Sequence, residues 1–191
     1  MKEDIIPTEL EYKYAISLDI AKKYDNEQLS LMSVNVQYIK QGYLAFSKGM
    51  TLRVRHSICL KNKQWYLTYK QKISNRVVEI EKKIDDRDGK DLWSACVGRL
   101  TKNRYVVNYH KHTWEIDFFY RDNHLYFVQA EVELKEGSNK PQEIPKFLRE
   151  FLLYEVPLTD DRFSNKRLSD VEFASRLYKS LVEKKNGYKK L

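Results

Sequence analysis

The chain has 191 residues, a length at which one domain is the ordinary outcome. Its 42% hydrophobic and 13% aromatic content excludes a disordered chain, and its mean hydropathy of −0.68, without an apolar run near the ~18 residues a spanning helix needs, excludes a membrane helix. A net charge of +8 and a pI of about 9.2 point to a polyanionic partner, which total charge alone does not identify. Met1-Lys2-Glu3-Asp4 lacks the basic-then-apolar pattern of a secretory leader. Cys59 and Cys96 form no disulfide framework. The expectation is one domain over 1–191, cytoplasmic, with reduced thiols.

Period-two alternation predicts strands over Thr8–Ala15, Val34–Lys40, Thr51–Ile58, Gln64–Gln71, Arg76–Ile84, Leu100–Tyr109, His112–Tyr120 and Leu125–Leu134. Lys61-Asn62-Lys63, Ser74-Asn75 and Arg121-Asp122-Asn123 supply turns between them. Helices are predicted over Leu18–Leu31, Asp86–Val97 and Ile144–Leu153. A C-terminal helix over 169–183 follows, with Ser169 as N-cap and Glu172 completing a capping box; the basic tail 184–191 reads as a solvated end. The fold class is mainly β with helices (α+β): eight strands joined largely as hairpins, able to close into an antiparallel barrel.

The charges inside these strands pair at spacing two, so each pair shares a face. Glu9, Glu11 and Lys13 stand together, as do Arg53 with Arg55, Lys70 with Lys72, and Glu79 with Glu81. Lys102 pairs with Arg104, Glu115 with Asp117, and Glu131 with Glu133. One such pair is an ordinary solvated sheet face. Seven pairs with signs segregated by strand are harder to explain that way, because like charges two apart repel. Acid pairs suit hard divalent cations, and base pairs suit phosphate oxygens. Together they describe a metal-dependent polyphosphate site. His110 and His112 form only an H-x-H and lack the further ligands of a zinc site. Trp65, Trp93 and Trp114 read as packing anchors.

The ordered set resembles the CYTH superfamily, the triphosphate tunnel metalloenzymes. Glu9-Leu10-Glu11-Tyr12-Lys13 matches the ExExK signature, and Gln41-Gly42-Tyr43-Leu44 is similar to the segment after the first helical region of bacterial members. Arg53-Val54-Arg55, Tyr66-Leu67-Thr68-Tyr69-Lys70, Arg76-Val77-Val78-Glu79-Ile80-Glu81 and Lys102-Asn103-Arg104-Tyr105 match successive strand motifs. Trp114-Glu115-Ile116-Asp117 and Ala130-Glu131-Val132-Glu133 match the last acidic strands, and Asp161-Arg162-Phe163-Ser164-Asn165 resembles the C-terminal segment. The stretch Ile16–Asn35 carries no motif.

The resemblance implies an eight-stranded closed β-barrel forming a tunnel. The charged face would line it, and the apolar faces would pack on helices outside. It implies hydrolysis of a triphosphate with Mg²⁺ or Mn²⁺. Glu9, Glu11, Asp117, Glu131 and Glu133 would ligate metal, with Glu79, Glu81 and Glu115 nearby. Lys13, Arg53, Arg55, Lys70 and Arg104 would hold phosphate, with Arg76, Lys102 and Lys166 as further contacts. Tyr43 would be the general base, with Lys13 beside it to lower its pKa. The expected substrate is inorganic tripolyphosphate. ATP and thiamine triphosphate are the other candidates, through a class IV adenylate cyclase or a thiamine triphosphatase on the same scaffold. A non-catalytic polyphosphate- or nucleotide-binding module is the alternative in another class. A nucleic-acid-binding barrel is disfavoured, because paired glutamates repel a phosphate backbone.

Overall fold

The computed structural model describes residues 10–47, 49–60, 62–73, 76–134 and 140–188. The alternating stretches form antiparallel strands: β1 Leu10–Ile16, β2 Asn35–Ser47, β3 Met50–Cys59, β4 Asn62–Ile73, β5 Arg76–Ile84, β6 Gly98–Tyr109, β7 His112–Arg121 and β8 His124–Leu134. A ninth strand, β9 Leu152–Val156, lies inside and beyond the stretch predicted as helix 144–153. There Lys146–Phe151 makes only a 3₁₀ turn before the chain extends along β1. The hydrogen-bonded order is β5-β4-β3-β2-β6-β7-β8-β1-β9. This corrects the expected eight-stranded closed barrel. Among the described residues there are nine strands, and their ladder is linear, with edges at β5 and β9, because β9 takes the free side of β1.

Apart from the last, the helices are short. The predicted helix 18–31 divides into α1 Ile20–Lys23 and α2 Asn26–Leu31, because Asp25 starts a new helix with a complete Asp25–Gln28 capping box. α3 is Asp86–Ser94, capped by the Asp85 side chain. A 3₁₀ turn at Asp161–Phe163 leads into α4 Asn165–Leu168 and then α5 Val171–Tyr188. α5 differs from expectation at both ends. Asp170, not Ser169, accepts from the Phe173 N–H, while Ser169 Oγ turns back to the Lys166 carbonyl. The helix also continues to Tyr188, so most of the basic tail is helical.

The two faces of the sheet are covered differently. On the outer face Tyr14, Trp114, Ile116, Phe118, Val128, Ala130 and Val132 form one core with Ile20, Leu29 and Leu148 from α1, α2 and the first 3₁₀ turn. The inner face carries the charges over most of its length. At one end it turns apolar: Ala15, Tyr43, Leu100, Phe119 and Phe127 pack there against Phe163, Leu168, Ala174, Leu177 and Leu181. The register places these residues on the same face as Lys13, Arg53, Lys102 and Asp117. The C-terminal helices therefore cover one end of the concave surface.

α3 closes the outside of β3 and β4. Trp65 is 5% exposed, stacks on His56 at 4.3 Å and donates from Nε1 to Asp86. A Cβ on Gly89 would overlap Cγ and Cδ2 of that indole. Ala is the better helix former by about 1 kcal/mol, but overpacking a core costs about 1–3 kcal/mol. Gly89→Ala is therefore expected to lower stability, read as a lower urea midpoint. A raised midpoint would show that Trp65 shifts freely.

Candidate active site

One cavity of about 720 Å³ occupies the concave face, lined by residues from β1 through β8 and from the Ser164–Lys166 segment. The sheet must therefore curl enough for β4 and β5 to face β1 across a shared space. Strand parity carries the charges inward, and the antiparallel register sets acids beside bases: Lys13 opposes Glu131, Arg104 opposes Asp117, and Lys70 opposes Glu79.

The acidic side is built on a buried network. Asp117 is fully buried and binds Lys102 Nζ at 2.5 Å and the Arg104 guanidinium through two bonds of 2.7 Å. Burial opposes its charge, but Arg104 and Lys102 outweigh burial and hold its carboxyl down to about 2. Arg104 also bonds Glu115 and reaches Glu131 at 3.4 Å. Glu131 takes Lys13 at 3.3 Å and the Gln129 amide at 2.6 Å. Burial alone would raise Glu131, yet Lys13, Lys102 and Arg104 together hold it below its ordinary value. Glu11, bound to Lys13 at 3.0 Å, moves the other way, because burial and the Glu131 charge exceed what Lys13 returns. Glu115 is also raised, by burial first.

The basic side lies on β3 and β4. Arg55 grips Glu81 at 2.9 Å, Arg53 reaches Glu79 at 3.2 Å, and Lys70 holds the other Glu79 oxygen at 2.9 Å. Thr68 Oγ1 supports Glu81 at 2.8 Å. The Nε atoms of Arg53 and Arg55 are buried and have no hydrogen-bond partner among the described residues. A buried unmatched donor is costly, and a charged one more so, so these atoms call for an acceptor. Lys166 rests over the Phe46 ring at 4.9 Å on the cavity rim.

Tyr43 is 3% exposed and its Oη accepts from Gln41 Nε2 at 2.8 Å. Burial pushes the phenol well above its usual value, against smaller opposite effects of Arg53 and Gln41. Lys13, expected beside it, is engaged by Glu11 and Glu131 instead.

The structure thus gathers Glu11, Lys13, Tyr43, Arg53, Arg55, Lys70, Glu79, Glu81, Lys102, Arg104, Glu115, Glu131, Glu133 and Lys166 around one cavity. Asp117 sits behind that wall. Glu9 lies outside the described residues, as does the side chain of Arg76. Sequence reasoning gave no role to Gln129, Thr68, Gln41 or Asn165, whose Oδ1 accepts from Lys102 at 3.2 Å. Extending the parity of Glu131 by two residues would have found Gln129.

The donor set suits Mg²⁺ or Mn²⁺, since it consists of hard carboxylate oxygens. Burial first and the Glu131 charge second raise Glu11, and a nearby dication would offset the second. Among the described residues no three potential ligands already converge on one point. Lys13 instead stands between Glu11 and Glu131.

Removing the Asp117 charge takes from Lys102 the carboxylate it binds and leaves Arg104 with Glu115 and Glu131. Breaking a buried ion pair costs about 3–5 kcal/mol, and that is the expected loss for Asp117→Asn in urea unfolding. Because its folded pKa is depressed, the stability it supplies is complete above the usual 3.8 and lost as pH falls through about 2. That acid limb is expected to flatten in Asp117→Asn. An unchanged limb would place the titration elsewhere.

The sequence profile of the CYTH domain matches residues 7–166. A search of curated sequences finds no significant match. Among solved structures, the hypothetical protein NE1496 superposes with a TM-score of 0.52 at 22% identity, over 85% of this chain and 97% of that one. A Hippeastrum protein, described as a putative adenylyl cyclase with a dominant triphosphatase activity, superposes with a TM-score of 0.50 at 17% identity, over 66% of this chain and 80% of that one. Both likenesses concern the fold. With the profile spanning most of its length and the charged strands of the motif facing one cavity, this chain belongs to the CYTH domain family.

Proposed function

We propose that the chain hydrolyses a triphosphate, with inorganic tripolyphosphate as substrate and Mg²⁺ or Mn²⁺ as cofactor. The observation that carries this reading is the pair of arginines, Arg53 and Arg55, that line a cavity with an acidic far wall and whose buried Nε donors have no partner among the described residues. Phosphate oxygens are the acceptors that satisfy such forks. The choice of inorganic substrate rests on the wall itself. Ile39 and the Tyr43 ring are its apolar members, which offers little surface for an adenine or a thiazolium ring. A class IV cyclase or thiamine triphosphatase would need that surface. A binding module without turnover would use the same cradle and is separated by assay.

In this reading Arg53, Arg55 and Lys70 hold the anion from β3 and β4, and Arg104 and Lys166 approach from β6 and the C-terminal segment. Lys13 donates to it from β1. Lys102, which is 2% exposed between Asp117 and Asn165, acts by fixing Arg104's partner and the segment that bears Lys166. Glu11, Glu131 and Glu133, with Glu9 preceding them, would hold the metal, and Glu115 borders them. When bound, the metal neutralises phosphate charge and makes a coordinated water more acidic. The residues' share is positioning and charge stabilisation, the main demands of phosphoryl transfer. Tyr43 keeps its proton in the anion-free cavity, so we assign it the orientation of phosphate or water by hydrogen bonding. The base role that the resemblance implies would require a phenolate against its burial.

Phosphate release from tripolyphosphate with Mg²⁺ or Mn²⁺ is expected to exceed release from ATP and thiamine triphosphate. Losing one charged hydrogen bond of about 1.5–3 kcal/mol predicts a ~10–150-fold fall in kcat/KM for Arg55→Ala. Binding without turnover under either metal would support the module instead. Tyr43→Phe is expected to lower kcat by no more than about tenfold, whereas a general base contributes about 10²–10⁴-fold. A loss above a hundredfold with KM unchanged would restore the base role.

A further inference from the structure

Lys13 stands between two of the carboxylates that the proposed function gives to the metal. Its ammonium is 3.0 Å from Glu11 Oε2 and 3.3 Å from Glu131 Oε1. Its side chain is 18% exposed and that of Glu131 only 4%. Glu131 has further donors. Gln129 donates to the same Oε1 at 2.6 Å, and Arg104 reaches Oε2 at 3.4 Å. A cation that takes Glu131 Oε1 must displace one of its two donors, and of Lys13 and Gln129 it is Lys13 that has the flexible stem. Gln129 is fully buried, and Arg104 is anchored by two bonds to Asp117. Lys13 instead lines the cavity.

Resting on the triphosphatase reading, we propose that Lys13 is the resident counter-cation of the metal site, and that its transfer from Glu11 and Glu131 to an incoming phosphate couples metal binding to substrate binding. While the ammonium bridges the two carboxylates, a second cation there meets like charge at short range and competes with it for Glu11 Oε2 and Glu131 Oε1. A polyphosphate offers the ammonium another acceptor, and lysine's flexible four-carbon stem lets it turn. The released carboxylates then accept the metal. Coupling of this kind is reciprocal, so metal must equally favour the anion. It also keeps the buried acids neutralised between turnovers.

The first test is Mn²⁺ binding without any anion, measured by the electron paramagnetic resonance of free Mn²⁺. Lys13→Met and Lys13→Gln are both expected to bind at least about tenfold more tightly than the natural protein, within the range of ordinary coupling. A measurement on the unaltered chain guards against variants that fold poorly. The side-chain ammonium resonance of Lys13 should stay in place with Mg²⁺ alone and shift when imidotriphosphate is added. Variants that bind Mn²⁺ no more tightly, in a protein whose natural form hydrolyses tripolyphosphate, overturn the coupling and leave the triphosphatase reading intact. An ammonium signal displaced by Mg²⁺ alone does the same. Failure of every form to bind Mn²⁺, together with no hydrolysis of tripolyphosphate, overturns both.

Discussion

The paired burial of Asp117 with Lys102 and Arg104 is the constraint on which the inner face depends. Three charges removed from water are tolerable only because each meets an opposite charge at hydrogen-bond distance. From Asp117 the network runs through Arg104 to Glu131 and Glu115, and through Lys13 to Glu11. Through Lys102 it runs to Asn165 and the C-terminal segment. The concave surface is thus a preorganised set of charges held by β6, β7, β8 and β1, not a row of independent side chains.

That arrangement divides the molecule by face. The outer face supplies the main apolar core with the short helices, and the inner face is apolar only where α5 and its preceding turns cover it. Along the rest the two walls differ. The β1, β7 and β8 wall is rich in carboxylates, and the β3 and β4 wall in cations with unmet donors. A ligand with both metal-seeking and arginine-seeking oxygens fits between them. This is the physical content of the proposed activity, and it differs from a nucleic-acid groove, where carboxylates would oppose a long phosphate backbone.

The strands were legible in the sequence because period-two alternation is a local property, and β5 agrees residue for residue with the predicted Arg76–Ile84. Which face turned inward was not legible from alternation, since parity groups residues without choosing a side; the resemblance supplied that choice. Phe119 and Phe127 share parity with Asp117 and Gln129, an apolar intrusion on the charged face that hinted at a cover. Its source, α5, is a tertiary fact. β9 was hidden because Leu152-Leu153-Tyr154-Glu155-Val156 is a short apolar run that fits a helix or a strand, and the open side of β1 decided it. The Asp25–Gln28 box that divides the first helical region was visible, but no turn residue of Gly or Pro advertised the break. Of the site, the charged motifs carried their own signal. Gln129, Thr68 and Asn165 did not, being neutral residues whose value lies in what they touch across strands.

The unmet arginine donors and the acidic wall should hold one polyphosphate between them, which a crystal structure with imidotriphosphate and Mn²⁺ would reveal. Phosphate oxygens are expected within about 3.2 Å of the Nε atoms of both Arg53 and Arg55, with the metal on the Glu11–Glu131 side. An anion bound outside the cavity, with those two Nε atoms still unpartnered, would contradict it.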